Sequence, residues 1–156
     1  WLFLSSHYRS PLNINEEAIE TAKKELNKVK TPLKQAYVKA GLAGVDLKEE
    51  YDVESFHTFL TAMEDDLNTP NAFAAIFDVV KQLNQVVRQK EIDFTALGLK
   101  VNAVEKMLDV LGIENHRIVL SEEDKNLHAE WRNAVTQKDF ELADKFRAQL
   151  IEKGIL

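Results

Sequence analysis

The sequence contains no cysteine, which removes disulfides, thiolate metal sites and cysteine nucleophiles at once. Only five Gly and three Pro occur in 156 residues. That is too few for a loop-rich β protein and suits long helices. Long apolar runs are also missing. The longest, Ala72 to Phe77, falls far short of the roughly 20 residues that a membrane span needs. The opening Trp1-Leu2-Phe3-Leu4 is apolar but has no basic flank, so it does not read as a signal peptide. Positive charge is not in excess either: the formal net charge is −6, which argues against a strongly basic nucleic-acid binder but leaves room for local patches. Lack of cysteine and of targeting signals fits a reducing compartment, and the expected location is cytoplasmic.

What is present is helical pattern. Hydrophobic residues make up 45% and charged residues 29%, ordinary for a globular fold. Trp1 to Tyr8 reads as the last turns of a helix whose beginning lies elsewhere, and the chain opens on an apolar run without Met. We therefore expect a piece of a larger protein. Arg9 to Asn13, with Pro11, breaks that helix. Asn15 caps the next, with Glu16 and Glu17 favouring its N-terminal end. Ile19, Ala22, Leu26, Val29, Leu33, Ala36 and Ala40 then recur at helical spacing as one inward stripe. Pro32 should kink this helix, or let Thr31 cap a second segment, and Gly41 and Gly44 end it.

A third helix directs Phe56, Phe59, Leu60, Met63 and Leu67 inward. Asp65 to Pro70 stops it, and Thr69 caps a fourth helix with Pro70 at its first position. That helix buries Phe73, Ile76, Phe77, Val80, Leu83 and Val87. A fifth runs from about Leu97 to Leu111, closed by Gly112. Residues 113–120 read as a linker. Ser121-Glu122-Glu123-Asp124 starts a sixth helix carrying Leu127, Trp131, Ala134 and Val135 on its apolar side. Asp139 caps a seventh, with Phe140, Ala143, Phe146, Leu150 and Ile151 inward and Gly154 at its end. The expectation is an all-α fold: an antiparallel helical bundle over 1–112, a linker over 113–120, and a helical hairpin over 121–156.

Catalytic signatures are few. The histidines at 7, 57, 116 and 128 never stand four apart, the spacing of a helical metal pair. Glu64, Asp65 and Asp66 fit a solvated acidic cluster better than an acid–base pair. No Gly-rich phosphate loop is present. Basic residues remain. Lys23, Lys30 and Lys34 lie along one edge of the second helix, with Lys24, Lys28 and Lys39 on its far face. That face suits a phosphate backbone, and it equally suits the solvated side of an amphipathic helix. Residues 1–50 carry eight Lys/Arg against seven Asp/Glu, 51–112 five against ten, and 113–156 seven against nine, so acidity concentrates in the middle. The hairpin adds Trp131, Phe140 and Phe146 beside Arg132, Lys138, Asp144 and Arg147, the residue types that stack on and hydrogen-bond to unpaired RNA bases. Aromatics at that spacing are also ordinary core.

Three ordered stretches carry a family resemblance. His7-Tyr8-Arg9-Ser10-Pro11-Leu12-Asn13 resembles the segment that follows the catalytic part of bacterial-type cysteinyl-tRNA synthetases. Asp65-Asp66-Leu67-Asn68-Thr69-Pro70 is similar to that family's D-D-F-N-T-P turn, with Leu for Phe. Lys138-Asp139-Phe140, Ala143-Asp144, Arg147, Leu150 and Gly154-Ile155 resemble its terminal hairpin. The likeness covers essentially the whole chain.

It implies a DALR-type anticodon-binding bundle followed by an anticodon-binding extension, truncated after Leu156. The parent would be a class I ligase joining cysteine to tRNA(Cys) with ATP, Mg and one zinc ion. The family's H-I-G-H and K-M-S-K-S motifs do not occur here, so this fragment is expected to hold no catalytic, cofactor or metal site. Its expected partners are tRNA(Cys) and the parent's own catalytic domain, with no membrane and a monomeric state. The resemblance makes Phe140 a stacking residue, Asp144 a base-edge acceptor, and Lys138 and Arg147 phosphate or hairpin-fixing residues. Arg132 is the nearest basic residue in the preceding helix, and Arg9 completes the tRNA-binding candidates. A ligase of the same ancestry acting on a small amine, as in mycothiol synthesis, and a helical protein-interaction module are the alternatives.

Overall fold

The computed structural model describes residues 1–156. It is all-helical: α1 (Glu16–Ala43), α2 (Val53–Glu64), α3 (Thr69–Val87), α4 (Phe94–Val110), α5 (Glu122–Gln137) and α6 (Phe140–Glu152), preceded by one 3-10 turn at Leu2–Leu4. The chain forms two compact units. One comprises residues 1–36 and 47–117, the other 37–46 and 118–156. Neither unit is a continuous stretch, because α1 contributes to both.

Local chemistry explains most boundaries. Asn15 accepts from the Ala18 amide at 2.8 Å and so caps α1. Asp52 and Asp93 do the same for α2 and α4, each accepting from amides of the first turn. Gly112, at φ +67°, ends α4 in a Schellman turn with Ile113 N–H donating to the Leu108 carbonyl.

Several expectations need correction. Residues 1–8 form no α-helix beyond the 3-10 turn, since their hydrogen bonds close at Ser5 onto Trp1 and Leu2. The apolar character there serves packing: the Trp1 ring stacks on Phe73 at 4.2 Å, and its indole N–H donates to Glu25. Pro32 does not divide α1, which runs unbroken through it with Pro32 itself buried. Burial of Val29 and Leu33, both fully covered, holds the helix across the one amide hydrogen bond that proline cannot make. Ile19 is 39% exposed rather than inward, because the stripe only reaches packing neighbours further along α1.

Leu67 also faces water, 55% exposed, because both it and Asp66 adopt positive φ in the turn after α2. Asn68, not Thr69, caps α3, so Pro70 sits at the second helical position. α4 starts three residues earlier than expected, where Asp93 accepts from Thr95 and Ala96. In the hairpin, Phe140, Ile151 and Val135 are exposed rather than inward.

In the first unit, α2, α3 and α4 pack on one another around Phe59, Ile76, Leu83, Leu97 and Met107, all fully buried. Asn102 is the polar exception, 4% exposed. Its amide donates to the Glu50 carbonyl at 2.6 Å and to that of Lys48, while its oxygen accepts from Arg117 at 2.6 Å. That single side chain ties the segment before α2 and the segment after α4 to the same point of the core. In the second unit, α5 and α6 pack closely, and Val38, Leu120, Leu150 and Ile155 form a core with Leu127 and Trp131 against it. Leu120, at the end of the non-helical 113–120 stretch, is therefore a core residue.

Candidate nucleic-acid interface

The hairpin's geometry begins with its turn. Lys138 takes a left-handed conformation at φ 60°, which ends α5 and lets Asp139 donate its amide to the Ala134 carbonyl. Asp139 then caps α6 at once by accepting from Leu142. Ser121 and Asp124 close a capping box at the start of α5. Both helices thus start on side-chain caps that the sequence marks, and both end on backbone hydrogen bonds.

Ala143 and Leu150 point into the second unit's core. Rotating about α6 at 100° per residue, Phe140, Asp144, Arg147 and Ile151 fall on one different face. All four are exposed, Phe140 by 67%. None of the polar side chains on this face forms an ion pair within the chain, and Lys138 at the turn is likewise exposed. An exposed ring beside an acceptor and a cation, all unsatisfied within the fold, can stack on a base, accept from its edge and neutralise a phosphate. Arg132 is exposed on α5. Its charge, after burial, is the second reason that His128 titrates below the ordinary 6.5.

The expected candidates therefore divide. Lys138, Phe140, Asp144, Arg147 and Arg132 belong to the second unit. Arg9 belongs to the first, where it pairs with Asp66 at 3.3 Å and lies over the Tyr8 ring at 5.2 Å. Tyr8 itself donates to Asp66 at 2.8 Å, and that bond, ahead of desolvation, raises the phenol's pKa. Two of the resembling stretches, the His7–Asn13 segment and the Asp65–Pro70 turn, thus meet through one carboxylate.

A second cationic surface lies in the first unit, formed by residues that helical spacing alone does not bring together. Between α1 and α3 lies an opening of about 800 Å³, into which Lys24 and Lys28 face Lys81 and Arg88. Helical spacing placed Lys24 and Lys28 on one face, but nothing in the pattern could say that α3 lies opposite. No group of three or more His, Asp or Glu side chains converges as metal ligands would. No helix is long and apolar enough to cross a membrane.

Residues 58–115 match the DALR domain. Over its whole length the chain is similar to cysteine–tRNA ligases. It is 36% identical to the enzyme of Mesoplasma florum, 32% to that of Mycoplasma mycoides and 33% to that of Staphylococcus saprophyticus. In each case all of this chain is covered and about 35% of the relative, so the chain spans roughly a third of the length of the curated relatives it matches.

Proposed function

We propose that this chain is the C-terminal tRNA-binding region of a cysteine–tRNA ligase, with the exposed Phe140–Asp144–Arg147 face of α6 reading unpaired bases of tRNA(Cys). The observation that carries this is the combination of that unpaired face with similarity to cysteine–tRNA ligases along the entire chain. In this reading the activation of cysteine, as a class I synthetase using ATP, Mg and one zinc ion, is performed by residues outside these 156. The chain contributes placement. The aminoacylated 3′ end of a tRNA lies far from its anticodon, and helices at 1.5 Å rise per residue are stiff rulers for such a distance. The parent works in the cytoplasm as a monomer, with this region beside its own catalytic domain.

Base reading is assigned to α6 because stacking needs an accessible ring, and Phe140 is the one exposed aromatic on that helix. Lys138 and Arg147 neutralise neighbouring phosphates, and Arg132 adds charge on α5. Arg9 serves chiefly to hold the Asp66 turn and reaches RNA from there.

The test is an anisotropy titration of the chain with tRNA(Cys), with another tRNA and with an unrelated acidic polymer, at several salt concentrations. Tighter, salt-sensitive binding of tRNA(Cys) is the expected result. Equal affinity for all three would remove the recognition role. Capture of the same cellular partners with and without ribonuclease treatment would instead mark a protein-interaction module.

A further inference from the structure

The groove between α1 and α3 has a charge pattern that the rest of its unit does not share. Residues 51–112 hold five basic side chains against ten acidic ones. Two of the five are occupied elsewhere: Lys100 pairs with Asp52, and Lys106 lies over the Tyr51 ring at 4.6 Å. Lys81 and Arg88 are not so held, and both line the groove opposite Lys24 and Lys28 of α1. No carboxylate lines it. Its apolar floor is Phe77, Val80 and Pro32. Neutral donors, among them Asn84 and Gln85, fill the remaining wall.

Four converging cations repel one another unless an anion lies between them. In a chain of net charge −6, carboxylates are plentiful, yet none has been placed here. Lys24 and Lys28 stand one helical turn apart, a rise of about 6 Å, and Lys81 and Arg88 are separated by about 10 Å along α3. Two facing rows at such intervals suit a linear anion with regularly spaced charges better than a single compact ion. Amide side chains beside the cations are the usual partners of phosphate and ribose oxygens.

We infer that this groove is a sequence-independent cradle for an RNA phosphodiester backbone. The inference rests on the reading that the chain engages RNA, and it adds a second contact surface, in the other compact unit from α6. No base is read here. The groove supplies affinity through counterion release, and α6 supplies discrimination.

A short RNA duplex separates the two surfaces. It offers phosphates but no unstacked base, so Phe140 has nothing to stack on. The chain is titrated with this duplex against salt, beside a variant carrying Lys24→Gln, Lys28→Gln, Lys81→Gln and Arg88→Gln. All four positions are exposed, so the fold is expected to persist, and circular dichroism checks it. A control removes the same charge elsewhere, through Lys23→Gln, Lys48→Gln, Lys125→Gln and Lys145→Gln.

The groove variant should bind at least ~10-fold more weakly at moderate salt, with the slope of log K against log salt reduced by about 3. The control should lose far less. A groove variant no weaker than the control overturns the inference. So does displacement of the duplex by a polyglutamate peptide at equal charge concentration, which would mark a protein-facing surface. A Phe140→Ala variant, which removes only the stacking ring, should keep duplex binding, since the duplex offers that ring no unstacked base. If it does so while tRNA(Cys) discrimination is absent in the unaltered chain, the α6 reading fails and the groove stands.

Discussion

Lys153 places its ammonium 2.6 Å from Asp124, joining the residue that caps the C-terminus of the hairpin's second helix to the first turn of its first. Asp124 is the same residue that returns the capping box to Ser121. The Lys153 bond, then the Ser121 amide and hydroxyl, hold its carboxyl at about 2, below the ordinary 3.8. Lys153 is correspondingly raised above its ordinary 10.5, first by the hydrogen bond to Asp124 and then by that carboxylate's charge. A carboxyl depressed in the folded state stabilises the fold fully above its unfolded pKa. The contribution should therefore be complete above pH 3.8 and lost as pH falls through about 2. The lysine's share is complete below pH 10.5 and disappears as pH rises through its higher folded value. Carbon-13 detected titration of the Asp124 carboxyl should give a midpoint near 2 that moves upward in Lys153→Met. An unmoved midpoint would show that the capping bonds alone set it.

Asn102 predicts a different kind of loss. It is buried, and one substitution strips the partner from two backbone carbonyls and from the Arg117 guanidinium. Asn102→Ala should cost about 2–3 kcal/mol, the range for orphaned buried polar groups and a small cavity together. Urea unfolding should show a lower midpoint at an unchanged slope. A loss below roughly 0.5 kcal/mol would mean that water replaces the amide, as happens at exposed surface positions.

Phe140 and Leu150 share a helix and should separate stability from binding. Leu150 is fully buried, so Leu150→Ala should destabilise by about 2–5 kcal/mol. Phe140 is 67% exposed, and Phe140→Ala should change stability by no more than about 0.5 kcal/mol. In tRNA(Cys) binding it should nevertheless cost on the order of 1–3 kcal/mol, the range for one base stacked on an aromatic. Denaturant curves and anisotropy titrations on the same samples provide both numbers. A stability loss as large as the binding loss would make Phe140 structural.

Six of the seven expected helices and the caps Asn15, Ser121 and Asp139 were legible because they depend on neighbours in sequence. Asn15, Ser121 and Asp139 all accept from amides three residues ahead, as do Asp52 and Asp93 by the same local geometry at starts that the apolar spacing did not mark. Periodicity identified Val29, Leu33, Ile76 and Leu150 correctly as core. It failed where the inward stripe has an end. Ile19 and Ile151 continue the apolar spacing beyond the packing that would bury them, and Phe140 carries the same signal while facing water. Leu67 failed for a backbone reason, because two successive positive-φ residues turn it away from α2. The Asn102 network and the α1–α3 groove were illegible because each joins residues more than a dozen positions apart. The face of α6 was legible in its residue types, and only the fold distinguishes that exposed Phe from the core Phe that the same spacing allows.

Lys138 sets stability against binding within one residue. Its φ of 60° is left-handed, a conformation that costs a residue bearing a Cβ about 1–2 kcal/mol and that helix ends commonly assign to glycine. Gly112 and Gly154 occupy the equivalent place after α4 and α6. A lysine at the hairpin turn forgoes that gain, and its side chain, exposed and without an ion pair, returns nothing to the fold. Lys138→Gly should therefore raise hairpin stability by about 0.5–1 kcal/mol, the conformational relief less the entropy that glycine loses on folding. It should also weaken RNA binding and lower the salt slope by roughly 1, as one phosphate contact is removed. Lys138→Asn separates the two effects, since asparagine tolerates the left-handed region but carries no charge. It should bind as poorly as the glycine variant. If both variants bind RNA as well as the unaltered chain, the lysine's charge is irrelevant to recognition, and the phosphate contacts of the hairpin must come from Arg147 and Arg132 instead.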